Sequence, residues 1–214
     1  MPTHAIFEAI QQGDAERVRE LADAAGQRND EGVSALLFAQ YYGRDELVEA
    51  LRPRRGALDV FEAAALGDVE RLRTLLDDDP ALVDAYADDG FFPLGLAAFF
   101  KRADAVRLLL DRGADPNQQS RHAQIVVRPI HAAAADGGST AIARLLLDAG
   151  ADVNVRQPGG FTPLHAAAQV GNDELVALLL EHGADPHARL DEGRTPADLA
   201  RDAGHRDVAE RIEA

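Results

Sequence analysis

The chain has no cysteine and no tryptophan among its 214 residues, and Lys101 is its single lysine. Without cysteine there is no disulfide framework and no thiolate-ligated zinc, and redox chemistry says nothing about compartment. Aromatic residues make up only 5% of the chain, so each large ring needs an explanation. No apolar run approaches the ~18 residues of a membrane-spanning helix, and Met1 to Glu8 lacks a basic segment followed by a long apolar stretch. A cytoplasmic location is expected. Positive charge is scarce, with 22 basic residues against 37 acidic ones and a formal net charge of −15. Such a chain repels phosphate backbones and anionic bilayers, so neither nucleic acid nor membrane is expected as a partner.

What the chain does have is a repeated phrase. Gly113 to Asn117 (GADPN), Gly150 to Asn154 (GADVN) and Gly183 to His187 (GADPH) each follow an apolar segment ending in three leucines. The intervals from Pro163 to Pro196 and from Gly171 to Gly204 are equal, and the one from His131 to His165 exceeds them by a single position. A period of about 33 residues means stacked supersecondary units, none of which buries its apolar face alone.

Each unit reads as two helices. Thr162 caps the first, and Pro163 occupies the opening position, where the backbone N–H is spare. Ala166, Ala167 and Ala168 keep that helix thin, and Gly171 ends it where a left-handed residue is needed. A second helix starts at Asn172 or Asp173, carries Leu175, Val176, Leu178, Leu179 and Leu180, and stops at Gly183. Thr162-Pro163-Leu164-His165-Ala166-Ala167 and the Gly-Ala-Asp-x-Asn phrase resemble the ankyrin repeat. The resemblance is strong from Asp88 to Arg206 and degenerate before it. It implies an all-α solenoid of stacked helix-turn-helix units with short β-hairpin fingers, as a single domain over 1–214. It also implies that His131 and His165 tie one repeat to the next through backbone hydrogen bonds, and that Asn117 and Asn154 tie the finger turns. Thr162, Pro163, Gly113, Gly150 and Gly183 are structural in the same reading.

The approximate repeats are 3–28, 29–55, 56–87, 88–119, 120–157, 158–190 and 191–214. Gly43 and Gly67 stand closer together than one full period, so 53–56 is expected to be a short connector. Pro129 follows Asn117 at a longer interval than Pro163 follows Asn154, which makes the fifth finger three residues longer than its neighbours. One further residue is expected in the turn at 135–138. The last repeat reads as a solvated cap, so a monomer is expected.

The search for chemistry finds little. Ser34, Ser120 and Ser139 lack a G-x-S-x-G setting, and no phosphate-binding glycine pattern follows a strand. His182, Asp185 and His187 are close enough in sequence for a metal, yet a routine turn explains them better. No cofactor or metal is expected. The reading is a non-catalytic module that binds a partner protein through its inner-helix and finger surface. The alternatives are a self-associating scaffold and an enzyme or metal protein.

Candidate contact residues are those that stacking does not need. If Leu94, Ala97 and Ala98 form the packed face of their helix, a step of ~100° per residue points Leu96 and Phe99 outward, with Phe100 on the flank. The same phase puts Phe38 and Tyr41 outward with Tyr42 on the flank, and elsewhere the pairs Glu8/Gln11, Glu62/Ala65, Ala132/Ala135, Ala166/Gln169 and Leu199/Asp202. Two aromatic clusters then stand roughly 16–20 Å apart around the small Ala65. The competing possibility is that Tyr42 and Phe100 pack between repeats while the N-terminal units cover Phe38 and Tyr41. The long finger adds Arg121, His122 and Arg128 beside the β-prone Ile125-Val126-Val127. Asp77, Asp78, Asp79, Asp84, Asp88 and Asp89 crowd one finger, either to attract a basic segment or as a solvated loop.

Overall fold

The computed structural model describes residues 2–21, 23, 26–52, 57–122, 124–135 and 137–214, with side chains from residue 5 onward. The expected connector at 53–56 and residue 136 of the expected turn lie outside the described residues. Fourteen α-helices among the described residues come as seven consecutive pairs. They are α1 (Pro2–Gln12) with α2 (Ala15–Glu20), α3 (Ala35–Tyr41) with α4 (Asp45–Leu51), and α5 (Val60–Leu66) with α6 (Val69–Asp78). Then come α7 (Pro93–Phe99) with α8 (Ala103–Asp111), α9 (Pro129–Ala134) with α10 (Thr140–Asp148), α11 (Pro163–Val170) with α12 (Asp173–Glu181), and α13 (Pro196–Asp202) with α14 (Arg206–Glu213).

The first helices pack on one another in series from α1 to α13, and the second helices form another layer, α2 on α4 and then α6 through α14. One apolar core runs between the layers from Ile6 to Ile212. Its second-helix side is built from leucine, for example the fully buried Leu109, Leu146 and Leu179, each the middle member of a leucine triplet. Each such side chain stabilises the stack by roughly 1.5–3 kcal/mol. Its first-helix side is largely alanine, which is why those helices lie close together.

The helix starts follow from cap chemistry. The side chains of Asp14, Ser34, Asp59, Asp68, Ser139, Thr162, Asn172 and Thr195 each accept the backbone N–H three residues on, a contact typically worth ~1 kcal/mol. The turn inside each pair needs a left-handed residue: φ is +73° at Gly67 and +71° at Gly171. In the fourth pair Lys101 holds that conformation, at +58°.

The fingers are turns closed by a single rung, not β-hairpin ladders. Ala87 N–H donates to the Phe91 carbonyl (2.8 Å), Gln157 to Phe161 (2.8 Å) and Leu190 to Arg194 (3.0 Å). In the fifth finger the rung joins Ser120 to Val127 (2.9 Å), three residues wider, as the spacing predicts. The single bridge among the described residues pairs Arg28 with Ser34. Two fingers also bond to the next through backbone: Arg121 N–H donates to the Gly90 carbonyl at 2.8 Å and Asp191 N–H to the Gly159 carbonyl at 3.0 Å. Gly90, at φ +83°, permits the first approach, since a Cβ there would lie 2.4 Å from the Arg121 carbonyl carbon.

Asparagine links the repeats at the other side of each unit. Asn117 Nδ2 donates to the Gly150 carbonyl (3.0 Å) while its Oδ1 accepts from Asp152 N–H (2.8 Å). Asn154 repeats this with Gly183 (2.9 Å) and Asp185 (2.8 Å). These side chains therefore join one turn to the next, and do not merely close their own.

Candidate functional site

The helical phase drawn from the sequence holds at Glu8 but needs correction at the first position of most later repeats, and at the second position for the fully buried Ala65. Leu96 is only 2% exposed and joins Val33, Leu37 and Ala65 in a small apolar cluster beneath the fingers. Glu62, Ala132 and Leu199 are buried as well. A first helix is packed on three sides, by the first helices before and after it and by its own second helix, and the finger residues Val33 and Phe91 cover part of the fourth. What remains open is the C-terminal end. Glu62 shows how the buried position is satisfied: its Oε1 accepts from Ser34 Oγ (2.6 Å) and its Oε2 from Asp59 N–H (3.0 Å).

The aromatic residues divide differently from expectation. Phe38 is half-buried between Phe7 (ring centroids 5.1 Å apart) and Tyr42 (4.8 Å). Tyr41 is half-buried and lies against Phe91 (6.2 Å) and Phe100 (5.6 Å). The two clusters are thus not separated as the phase implied, because Tyr41 and Phe100 lean together over the space left by Ala65. Their partners Tyr42 and Phe99 stay open, at 46% and 49% exposure. Tyr41 donates its hydroxyl to Asp89 Oδ2 at 3.3 Å, and burial together with the Asp89 charge keeps the phenol protonated. Burial also holds the Asp89 carboxyl above the usual carboxylate range, with the Phe91 N–H, the Tyr41 hydroxyl and nearby His122 pulling the other way.

Phe38, Tyr41, Tyr42, Asp89, Phe91 and Phe99 border a groove of about 600 Å³ that runs along the inner helices from α3 to α11 and under the fingers. Alanines of α9 and α11, including Ala132, Ala134 and Ala166, make its floor low. Four large apolar side chains stand out among the described residues as exposed: Tyr42, Phe99, Ile125 at 48% and Val170 at 38%. All four line this groove. Sequence reasoning missed Val170 and Phe161, and it singled out Asp89 only as one of six crowded aspartates. The readable signal for Val170 was its position just before the turn glycine Gly171, matching Tyr42 before Gly43.

The long finger splits its three candidates. His122 stacks on Phe91 (5.2 Å), accepts the N–H groups of Gln124 and Ile125 (both 3.1 Å), and lines the groove. Arg121 instead lies 3.8 Å over the Tyr86 ring, and Arg128 donates Nε to the Asn117 carbonyl at 3.0 Å. Arg121 thus joins its finger to the preceding one, and Arg128 braces the base of its own. Residue 123 lies outside the described residues. The acidic run is mostly engaged locally: Asp77 pairs with Arg112 (2.7 Å), Asp79 caps Ala81, and Asp84 accepts from Asp115 N–H (3.1 Å).

His165 closes the cap of its own helix and also approaches the backbone of Ala188 and Arg194 further along the stack. Its Nδ1 takes part in the cap of its own helix, near Thr162 N–H (3.2 Å) and Oγ1 (2.8 Å), while its Nε2 is buried without a hydrogen bond. His131 has Arg128 where the other histidine has threonine, and neither ring nitrogen is hydrogen-bonded. The backbone of Phe161 and Val155 comes close to it without completing the bond expected between repeats. No group of three potential metal ligands exists among the described residues, and His182 Nδ1 is taken up by the Leu178 carbonyl at 2.9 Å.

Comparison with known proteins decides the family. A model of three consecutive ankyrin repeats matches residues 129–212, and a single ankyrin repeat matches 89–121, together more than half of the chain. The chain belongs to the ankyrin-repeat family. Ankyrin repeats are in general protein–protein interaction modules, and no helix among the described residues is long and apolar enough to cross a membrane. Among similar proteins, ankyrin repeat and SAM domain-containing protein 6 of Rattus norvegicus is 34% identical over 49% of this chain and 11% of its own length. The probable E3 ubiquitin-protein ligase XBOS31 of Oryza sativa subsp. japonica is 37% identical over 51% of this chain and 24% of its length. Neurogenic locus notch homolog protein 4 of Homo sapiens is 37% identical over 50% and 5%. The shared part is the ankyrin array, a quarter or less of each of these relatives.

Proposed function

We propose that this ankyrin array is a non-catalytic module that binds a partner protein in the groove formed by its inner helices and fingers. The observation that carries this reading is the gathering of Tyr42, Phe99, Ile125 and Val170 along one concavity. Scattered exposed apolar residues need no explanation, but a contiguous patch of them marks a contact site. Large aromatic anchors in such a patch are the side chains whose removal costs most, often about 2 kcal/mol or more.

The test is quantitative capture from the source lysate by the natural chain and by a Tyr42→Ala, Phe99→Ala double variant of unchanged helicity. Both side chains are about half exposed and touch few neighbours, Phe38 and Gln11 for Tyr42 and Phe100 for Phe99, so the helicity check covers the packing that is lost. A captured protein reduced at least tenfold with the variant supports the groove. Equal capture by both chains removes it from consideration.

A further inference from the structure

We propose, building on the groove reading above, that the occupant is a linear segment with one lysine or arginine facing Glu31 and Asp89, followed by an apolar row that runs toward Val170. Among the described residues the groove lining contains no lysine or arginine, and its carboxylates, Glu31 and Asp89, both lie at the end nearest the second to fourth repeats. The other end, around Phe161 and Val170, offers amide groups (Gln157, Gln169) and no charge. The lining is therefore polar at one end and neutral at the other, which gives the occupant a direction.

Asp89 is the centre of the charged end. Its hydrogen-bond donors among the described residues are neutral, the Phe91 N–H at 3.1 Å and the Tyr41 hydroxyl at 3.3 Å. A half-buried carboxylate supported in this way has lost water, and the group able to carry positive charge that acts on it is His122, so an arriving ammonium or guanidinium adds a direct charge-assisted bond. The rings of Tyr41, Tyr42 and Phe99 line the same end and provide apolar surface for the aliphatic stem and faces for the charge. A net charge of −15 steers a basic segment toward the molecule and disfavours an acidic one. From the second to the sixth repeat the groove spans roughly 32–40 Å at 8–10 Å per helix step. An extended chain covers that in about ten residues.

Random linear dodecamers displayed on phage and selected on the full chain test this, with selected peptides resynthesised with fluorescein and titrated by anisotropy. Enriched peptides are expected to share one basic residue ahead of spaced apolar residues. Replacing that residue by norleucine, or using Glu31→Gln with Asp89→Asn, should weaken binding about tenfold or more. Asparagine keeps the oxygen that accepts the Phe91 N–H, and the norleucine peptide needs no protein variant. Peptides that show no basic preference, or that tolerate both changes while losing affinity to the Tyr42→Ala, Phe99→Ala variant, overturn the charge inference and leave the groove reading standing. No selected peptide, or peptides indifferent to the aromatic variant, overturns both.

Discussion

His131 is 4% exposed, and neither of its ring nitrogens is hydrogen-bonded. Burial pushes its pKa down to about 4, with the nearby backbone of Phe161 and Val155 opposing and the Arg128 charge reinforcing the shift. An unfolded histidine titrates near 6.5, so between those two values the unfolded chain takes up a proton that the folded chain refuses. This contribution to stability is therefore intact above pH ~6.5 and is lost progressively as the pH falls toward 4, by at most about 3 kcal/mol. Urea midpoints at pH 7.5 and pH 5 measure it: the natural chain should lose more stability between them than a His131→Leu variant does. An equal loss in both would mean that His131 is not the group responsible. The sequence showed that His131 is structural, but not that it is unbonded. That depends on Arg128 standing where Thr162 stands in the next repeat, and a cap residue's reach is settled only by the local backbone.

At the scale of elements, the turn between α7 and α8 departs from its neighbours. A non-glycine residue in the left-handed region costs roughly 1–2 kcal/mol, and Lys101 takes that conformation where Gly67 and Gly171 hold it in other repeats. Lys101→Gly removes the strain but adds unfolded-chain entropy of about 0.4–1 kcal/mol, leaving a gain of about 0.5–1 kcal/mol. Thermal unfolding should move up by about 2–3 °C. A lower midpoint would show that the Lys101 side chain contributes more than its backbone costs. The helices and their order were legible in the sequence because they rest on local signals such as Thr162-Pro163 and the turn glycine Gly171, whereas the Asp59 and Glu62 cap was not singled out. The face that each first helix leaves open was not legible either. Helical phase locates the side packed on the partner helix, whereas Leu96 is buried by finger residues that approach from the opposite side.

Across the whole molecule the dominant long-range term is the charge of −15. Most of the ion pairs that offset it are exposed, such as Arg19 with Glu46 and Arg17 with Glu20, and contribute little each. Self-repulsion should therefore outweigh pairing, and raising sodium chloride from about 0.02 M to about 0.5 M should raise the unfolding temperature by a few degrees. A fall would mean that the surface pairs act as a connected network. The fifth finger lies outside this balance. Its three additional residues are held by local bonds, Ser120 with Val127 and His122 with Ile125, and by Gln157 reaching the Val126 carbonyl at 3.1 Å. Ile125 nevertheless sits over the groove. A lineage can therefore rewrite the tip around Ile125 while keeping Val127 on the core and Arg121 on Gly90, so choice of partner and robustness of the scaffold are inherited as separate traits.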